Sequence, residues 1–171
     1  MDVDPLILTL RFDAESFEHF DAMRRRHFPP ARNMLPAHLT LFHKLPGDRW
    51  PQIHRDLAGI AAQTAPMLLR AGAIRFLGYG SAYAIESDAL KRLRVQLAER
   101  WSGLLERQDA AGFSPHITIQ NKAPAADAKA LCAELRAGFA PFEAYGTGLL
   151  LWHYRGGPWE AAGEYAFTGT T

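Results

Sequence analysis

The chain has 171 residues, 48% of them hydrophobic and 22% charged, with a formal net charge of +1. That composition excludes a disordered polymer and fits one soluble globular domain, residues 1–171, with lobe-like halves at about 1–80 and 81–171. Near-neutral charge argues against duplex DNA as partner, because phosphate neutralisation needs a basic face; the longest basic run, Arg24-Arg25-Arg26, has Glu18 and Asp21 nearby. Cys132 is the sole cysteine, so an internal disulfide and a cysteine metal site are both excluded, and its apolar helical surroundings suit a small core residue. Asp2 and Asp4 stand where a signal peptide has its basic segment, and no apolar run has the length of a bilayer span. A cytoplasmic monomer with no membrane partner is the expectation.

Leu6–Phe12 is an apolar run of strand length. Asp13 then caps a helix with Phe17, Phe20 and Met23 at helical spacing, which Pro29-Pro30 ends. A loop through Arg32–Pro36 leads to a strand carrying His38-Leu39-Thr40-Leu41. Gly47-Asp48 turns into a helix striped by Trp50, Ile53, Leu57 and Ile60, and strands over 67–69 and 74–77 follow, broken at Gly72.

The second half repeats that order. A strand over 82–86 leads through Ser87-Asp88 to a helix with Leu90, Leu93, Leu97, Trp101 and Leu104 on one side. A loop with Gly112 and Pro115 precedes the strand His116-Ile117-Thr118-Ile119, and Pro124 opens a further helix ending near Gly138. A strand over 147–154, a turn at Gly156-Gly157-Pro158 and a last strand near Tyr165–Phe167 complete the chain. Strand to motif takes 32 residues from Leu6 to His38 and 34 from Ala82 to His116, so the chain is an internal repeat. The fold class expected is α+β: bilobal duplicated β-α-β units with pseudo-two-fold symmetry, two antiparallel-type sheets lining a central cleft, and helices outside.

The two His-aliphatic-Thr-aliphatic motifs stand 78 positions apart at equivalent points of the repeat. Residues two apart on a strand share a face, so each motif presents an imidazole beside a hydroxyl. A lone strand histidine is usually structural, but packing does not require the same pair twice. Histidine titrates near neutrality, so one copy can accept a proton while the other donates. In-line displacement at phosphorus needs that pair on opposite sides, with hydroxyls for the non-bridging oxygens. Two histidines make only half a tetrahedral zinc set, and no His, Glu or Cys partner stands at helical spacing. Gly78-Tyr79-Gly80 lacks the following Gly-Lys-Ser/Thr of a nucleotide loop, and no Gly-x-Ser-x-Gly elbow is present. No metal and no cofactor are expected.

His38-Leu39-Thr40-Leu41 and His116-Ile117-Thr118-Ile119 match the paired motif of the 2H phosphoesterase superfamily in full, and the closing segment Leu151-Trp152-His153-Tyr154-Arg155-Gly156-Gly157-Pro158-Trp159 resembles the bacterial 2′-5′ RNA ligase-like branch. The resemblance spans nearly the whole chain. It implies a metal- and ATP-independent cyclic phosphodiesterase or 2′-5′ RNA ligase-like phosphoesterase, acting on a nucleotide 2′,3′-cyclic phosphate or an RNA terminus. It makes His38 and His116 the catalytic acid-base pair, with no assignment of which is acid and which base, and Thr40 and Thr118 the phosphate-binding residues. Many ligase-like members carry arginine five residues after the second histidine; Asn121 stands there, followed by Lys122. A non-catalytic nucleotide- or RNA-binding module is the alternative.

Phe42, Gln120 and Lys122 are candidate substrate contacts. Phe42 shares strand parity with His38 and Thr40, and Phe12, Tyr83 and Trp152 are further candidates for stacking on a base. The remaining histidines read as bland: His43 faces away from the cleft, His19, His27 and His54 are solvated on helices, and His153 stands behind the site at most.

Overall fold

A computed structural model describes residues 3–171; Met1 and Asp2, the latter used in the signal-peptide reading, lie outside the described residues. The elements are β1 (Leu6–Phe12), α1 (Ala14–His27), β2 (Thr40–Leu45), α2 (Trp50–Ala62), β3 (Met67–Phe76), β4 (Ser81–Glu86), α3 (Asp88–Arg100), α4 (Arg107–Ala110), β5 (His116–Gln120), α5 (Ala125–Gly138), β6 (Phe142–His153) and β7 (Glu160–Ala166).

Local chemistry sets the boundaries. Asp13 accepts a hydrogen bond from the Ser16 amide at 3.2 Å to cap α1, and Ser87 caps α3 through the Leu90 amide at 3.2 Å. Arg24, Arg25, Arg26 and His27 occupy the last turn of α1, where positive charge meets the negative end of the helix dipole. Phe28 is extended ahead of Pro29, as a residue before proline prefers. Gly72 does not break the strand: β3 is one element with a register shift between Ala71 and Ala73.

All seven strands are antiparallel and form one hydrogen-bonded sheet in the order β2-β1-β6-β3-β4-β5, with β7 also on β6. Exchanging β1 with β4, β2 with β5 and β3 with β6 reverses this order, as the predicted pseudo-two-fold requires. The two expected sheets are joined, because β6 is long enough to serve both. Its residues 142–146 pair with β3, while 146–153 pair with β1. The lobes therefore share a strand.

The motif strands β2 and β5 are the two outer ends of the order. Side chains nevertheless link them across space: Arg24 reaches the Thr118 carbonyl and Arg94 reaches the Leu41 carbonyl. The sheet is thus curled so that its ends approach, with the motifs at the gap. Helices cross over the same gap. From the first half, α1 packs on β5; from the second, α3 sends Trp101 against Phe42 of β2. The core runs through both lobes and includes Leu8, Leu10, Leu149 and Leu151 with Ile53 and Leu57 of α2. Cys132 is buried in it, as expected.

Candidate active site

Each motif begins on a constrained loop. Pro36 and Ala37 precede His38, and Ser114 and Pro115 precede His116. His116 opens β5, but β2 starts only at Thr40, so His38 stands just before its strand. Burial nonetheless alternates identically: Ala37 and Leu39 are buried around half-buried His38 and Thr40, as Pro115 and Ile117 are around half-buried His116 and Thr118. The aliphatic positions anchor each segment in the core and leave the polar pair at the surface of the gap.

The imidazoles are held alike. His38 Nδ1 lies 2.9 Å from the Pro36 carbonyl, and His116 Nδ1 lies 2.9 Å from the Ser114 carbonyl. A carbonyl only accepts, so Nδ1 carries the proton in both rings and donates it. Nε2 is left as the working atom: acceptor when the ring is neutral, donor when it is charged. Burial pushes the His38 pKa down from 6.5 to about 4, against the Pro36 hydrogen bond, which favours the charged form. The charges of Arg24, His116 and His43 lower it further, which places His116 within electrostatic reach. At neutral pH His38 is therefore an uncharged imidazole with a free lone pair.

Beside His38 a cavity of about 510 Å³ opens, lined among others by Phe17, Met34, Pro36, Trp152, Pro158 and Trp159. The Trp159 ring meets the His38 ring edge-on at 4.8 Å and 61°, and lies 6.2 Å from Trp152. Trp152 donates its indole N–H to Thr9 Oγ1 at 3.0 Å, and Thr9 pairs with Thr40. The cavity floor is thereby tied to the motif strand. Its apolar lining and flat rings suit a planar apolar group such as a nucleobase.

Of the aromatic candidates, Trp152 and Phe12 line this cavity. Phe42 does not: it is fully buried, 5.3 Å from the Trp101 ring and under the Arg94 guanidinium. The parity that aligned it with His38 and Thr40 fails because the β1–β2 register shifts between Leu8↔Phe42 and Thr9↔Thr40. Tyr83 is core as well, edge-on to Phe142 at 5.2 Å. Gln120 is buried, and its amide donates to the His27 carbonyl at 3.3 Å, joining β5 to the end of α1. Lys122 is exposed in a left-handed turn just past β5, beside Asn121, whose side chain accepts from the Lys122 amide at 2.9 Å.

The other histidines mostly follow expectation. His19 and His54 are exposed, although His54 also bonds the Tyr165 hydroxyl at 2.7 Å, and His27 is half-buried. His43 turns to Asp109 at 3.3 Å, and His153 sits at the end of β6, paired with Leu6 and Glu160. Among the described residues, no three His, Cys, Asp or Glu side chains gather as a metal site. Nor is any helix among them long and apolar enough to cross a membrane.

Sequence reasoning missed two kinds of residue. Trp159 was visible only as part of the closing segment. Arg24 and Arg94 are buried arginines four residues after Phe20 and Leu90, on the buried stripes of α1 (Ser16, Phe20) and α3 (Leu90, Leu93, Leu97). An arginine on such a stripe is the signal that could have found them.

Comparison with known proteins agrees with this fold. A search of curated proteins finds no match. Solved structures share the fold: TT0787 of Thermus thermophilus has a TM-score of 0.68 at 19% identity, covering 98% of this chain and 100% of its own. A protein described as a phosphoesterase follows at 0.59 and 21%, covering 96% and 99%. E. coli LigT complexed with 3′-AMP matches at 0.56 and 20%, covering 98% and 99%. The model of the 2′-5′ RNA ligase superfamily matches residues 12–158, a stretch that holds both histidine motifs and most of the cavity lining, and the chain belongs to that superfamily.

Proposed function

We propose that this protein is a metal-independent phosphoesterase that opens 2′,3′-cyclic phosphates of nucleotides or RNA ends by two-histidine acid-base catalysis. The observation that carries this reading is the matched pair of imidazoles, each fixed through Nδ1 to a carbonyl two residues back, with Nε2 free. His38, neutral in the free protein, takes the proton of the attacking water. His116 gives its proton to the departing ribose oxygen, and the phosphorus changes partners in line between them. Thr40 and Thr118 donate to the non-bridging oxygens, where charge resides throughout. A nucleobase on the substrate occupies the cavity of Trp152 and Trp159. The complex of LigT with 3′-AMP, a nucleotide bound to a protein of the same fold, supports a substrate of that class.

The test is a panel of 2′,3′-cyclic nucleotides and 2′-5′-linked oligonucleotides assayed in EDTA, with products separated by regiochemistry. Turnover of cyclic nucleotides without added metal supports the reading. Tight binding with no turnover of any member would sink it and leave a binding module.

The low pKa of His38 has a kinetic signature. A base that is half-protonated only near pH 4 stays functional in mild acid, so kcat/KM should hold from pH 7 down to about pH 5. An acid limb centred on 6.5, the ordinary histidine value, would show that His38 is not the desolvated base.

Trp159 is expected to act through binding. Stacking on a base is worth about 1–3 kcal/mol, so Trp159→Ala should raise KM for cyclic nucleotides by about ten-fold and change kcat little. A small alkyl cyclic phosphate without a base should be turned over equally by both proteins. Equal losses on the two substrates would place Trp159 in the chemistry instead.

A further inference from the structure

The two motif strands are opposite ends of the sheet, and no direct strand pairing connects them. Something else must fix their separation, because in-line transfer tolerates only small errors in the distance between acid, phosphorus and base. Resting on the two-histidine reading above, we propose that Arg24 and Arg94 are a symmetry-related pair of positioning residues that set the gap between the two motifs.

Their contacts mirror each other. Arg24, from α1 of the first half, donates from Nε to the Leu35 carbonyl at 2.9 Å and to Asn33 Oδ1 at 3.1 Å, both in the loop before motif one. Its Nη1 crosses to the Thr118 carbonyl of motif two at 3.2 Å. Arg94, from α3 of the second half, donates from Nη2 to the Asp109 carbonyl at 2.7 Å, on the segment before motif two. Its Nε crosses to the Leu41 carbonyl of motif one at 2.7 Å. Each guanidinium thus ties the approach to its own half's motif to the strand of the other.

Both are clamped. Their exposures are 4% and 6%, and burial lowers the pKa of each from the ordinary arginine value. Arg24 lies 4.3 Å from the Phe28 ring and Arg94 3.9 Å from that of Phe42. The Asp109 carboxylate extends the second clamp by accepting from the His43 and Lys44 amides of β2, each at 2.8 Å. A buried guanidinium bonded mainly to carbonyls is a poor device for stability alone, since apolar side chains of similar volume often do as well. Its planar fork is suited to something else: two bonds in fixed directions to two different segments. Arg24 also places its charge near His38.

Arg24→Lys and Arg94→Lys keep charge and bulk but lose the fork, and Arg24→Met and Arg94→Met remove both charge and fork. We expect each lysine variant to lower kcat at least about five-fold with KM within about three-fold of wild type, rates being normalised to folded protein. Because both clamps set one gap, Arg24→Lys with Arg94→Lys should cost less than the product of the single losses. A second readout needs no turnover: NMR titration of the His38 ring. Groups facing that ring are Arg24, His116 and His43 by charge, with the Pro36 carbonyl and the Trp159 ring in contact. Arg24→Met should move the His38 midpoint upward, whereas Arg24→Lys should leave it near the wild-type value.

Lysine variants with wild-type kcat would overturn the proposal, as would single losses that simply multiply. If wild-type protein turns over none of the cyclic substrates, the functional reading fails on its own. The positioning role is then judged by titration with inorganic phosphate, which should shift both histidine resonances in wild type and only one in each lysine variant. Unaltered two-ring shifts in the variants would overturn it.

Discussion

His38→Ala and His116→Ala should each lower kcat by at least about a hundred-fold on a 2′,3′-cyclic nucleotide, the scale of losing one general acid or base. The fold should survive, because both imidazoles are half-buried and bond only the backbone carbonyl two residues earlier. His38→Ala also removes the edge-on meeting of that ring with Trp159. Thermal melting within a few degrees of wild type is the control that makes the kinetic loss meaningful. The double variant should be little worse than either single one, since the two act in one proton-transfer step. A single variant that keeps wild-type turnover would refute paired acid-base catalysis.

Trp101→Ala is expected to be the most destabilising single change at the join between the halves. The side chain is fully buried at the end of α3, packs on Phe42 of β2, and donates its indole N–H to Asp56 of α2 at 2.9 Å. Truncation leaves a cavity where a helix from the second half meets the first, and it strips one partner from Asp56, whose other oxygen bonds Arg100 at 3.1 Å. Buried tryptophan to alanine costs about 3–5 kcal/mol, a large share of the roughly 5–15 kcal/mol of a typical domain. Urea unfolding measures this directly. Trp101→Phe should recover most of the packing and lose chiefly the hydrogen bond, about 1 kcal/mol. A loss below about 1.5 kcal/mol for the alanine variant would mean that the crossed helices are not what holds the lobes together.

The architecture was legible because it is written twice. Leu6–Phe12 and Ala82–Glu86, then His38 and His116, recur in the same order, and a repeat constrains topology more than propensity does. Element ends carried by capping residues or prolines, at Asp13, Ser87, Pro29 and Pro124, also fell where expected. Local irregularities were not legible. The shift beside Thr40 that turns Phe42 into the core, and the bulge at Gly72 that keeps β3 whole, depend on the partner strand. The joining of two lobes into one sheet likewise depends on β6 starting at Phe142, well before the Thr147 that the sequence pattern suggests.

At the site, the four motif residues were legible and their surroundings were not. Trp159 gains its position only when the turn after β6 folds back over His38. Arg24 sits in a run that reads as a solvated face, and Arg25 does behave that way, pairing with Glu18 and Asp21. Arg24 differs only by the helical turn that points it inward with Phe20. Periodicity separates neighbours in a charge run, and composition does not.

The most direct measurement of the central claim is a ³¹P NMR time course of 2′,3′-cyclic AMP with the wild-type protein in excess EDTA. We expect the cyclic phosphate resonance to be replaced by that of a single monophosphate isomer, at a rate unchanged by the chelator. No conversion, or conversion only after Zn²⁺ or Mg²⁺ is restored, would contradict two-histidine catalysis without metal.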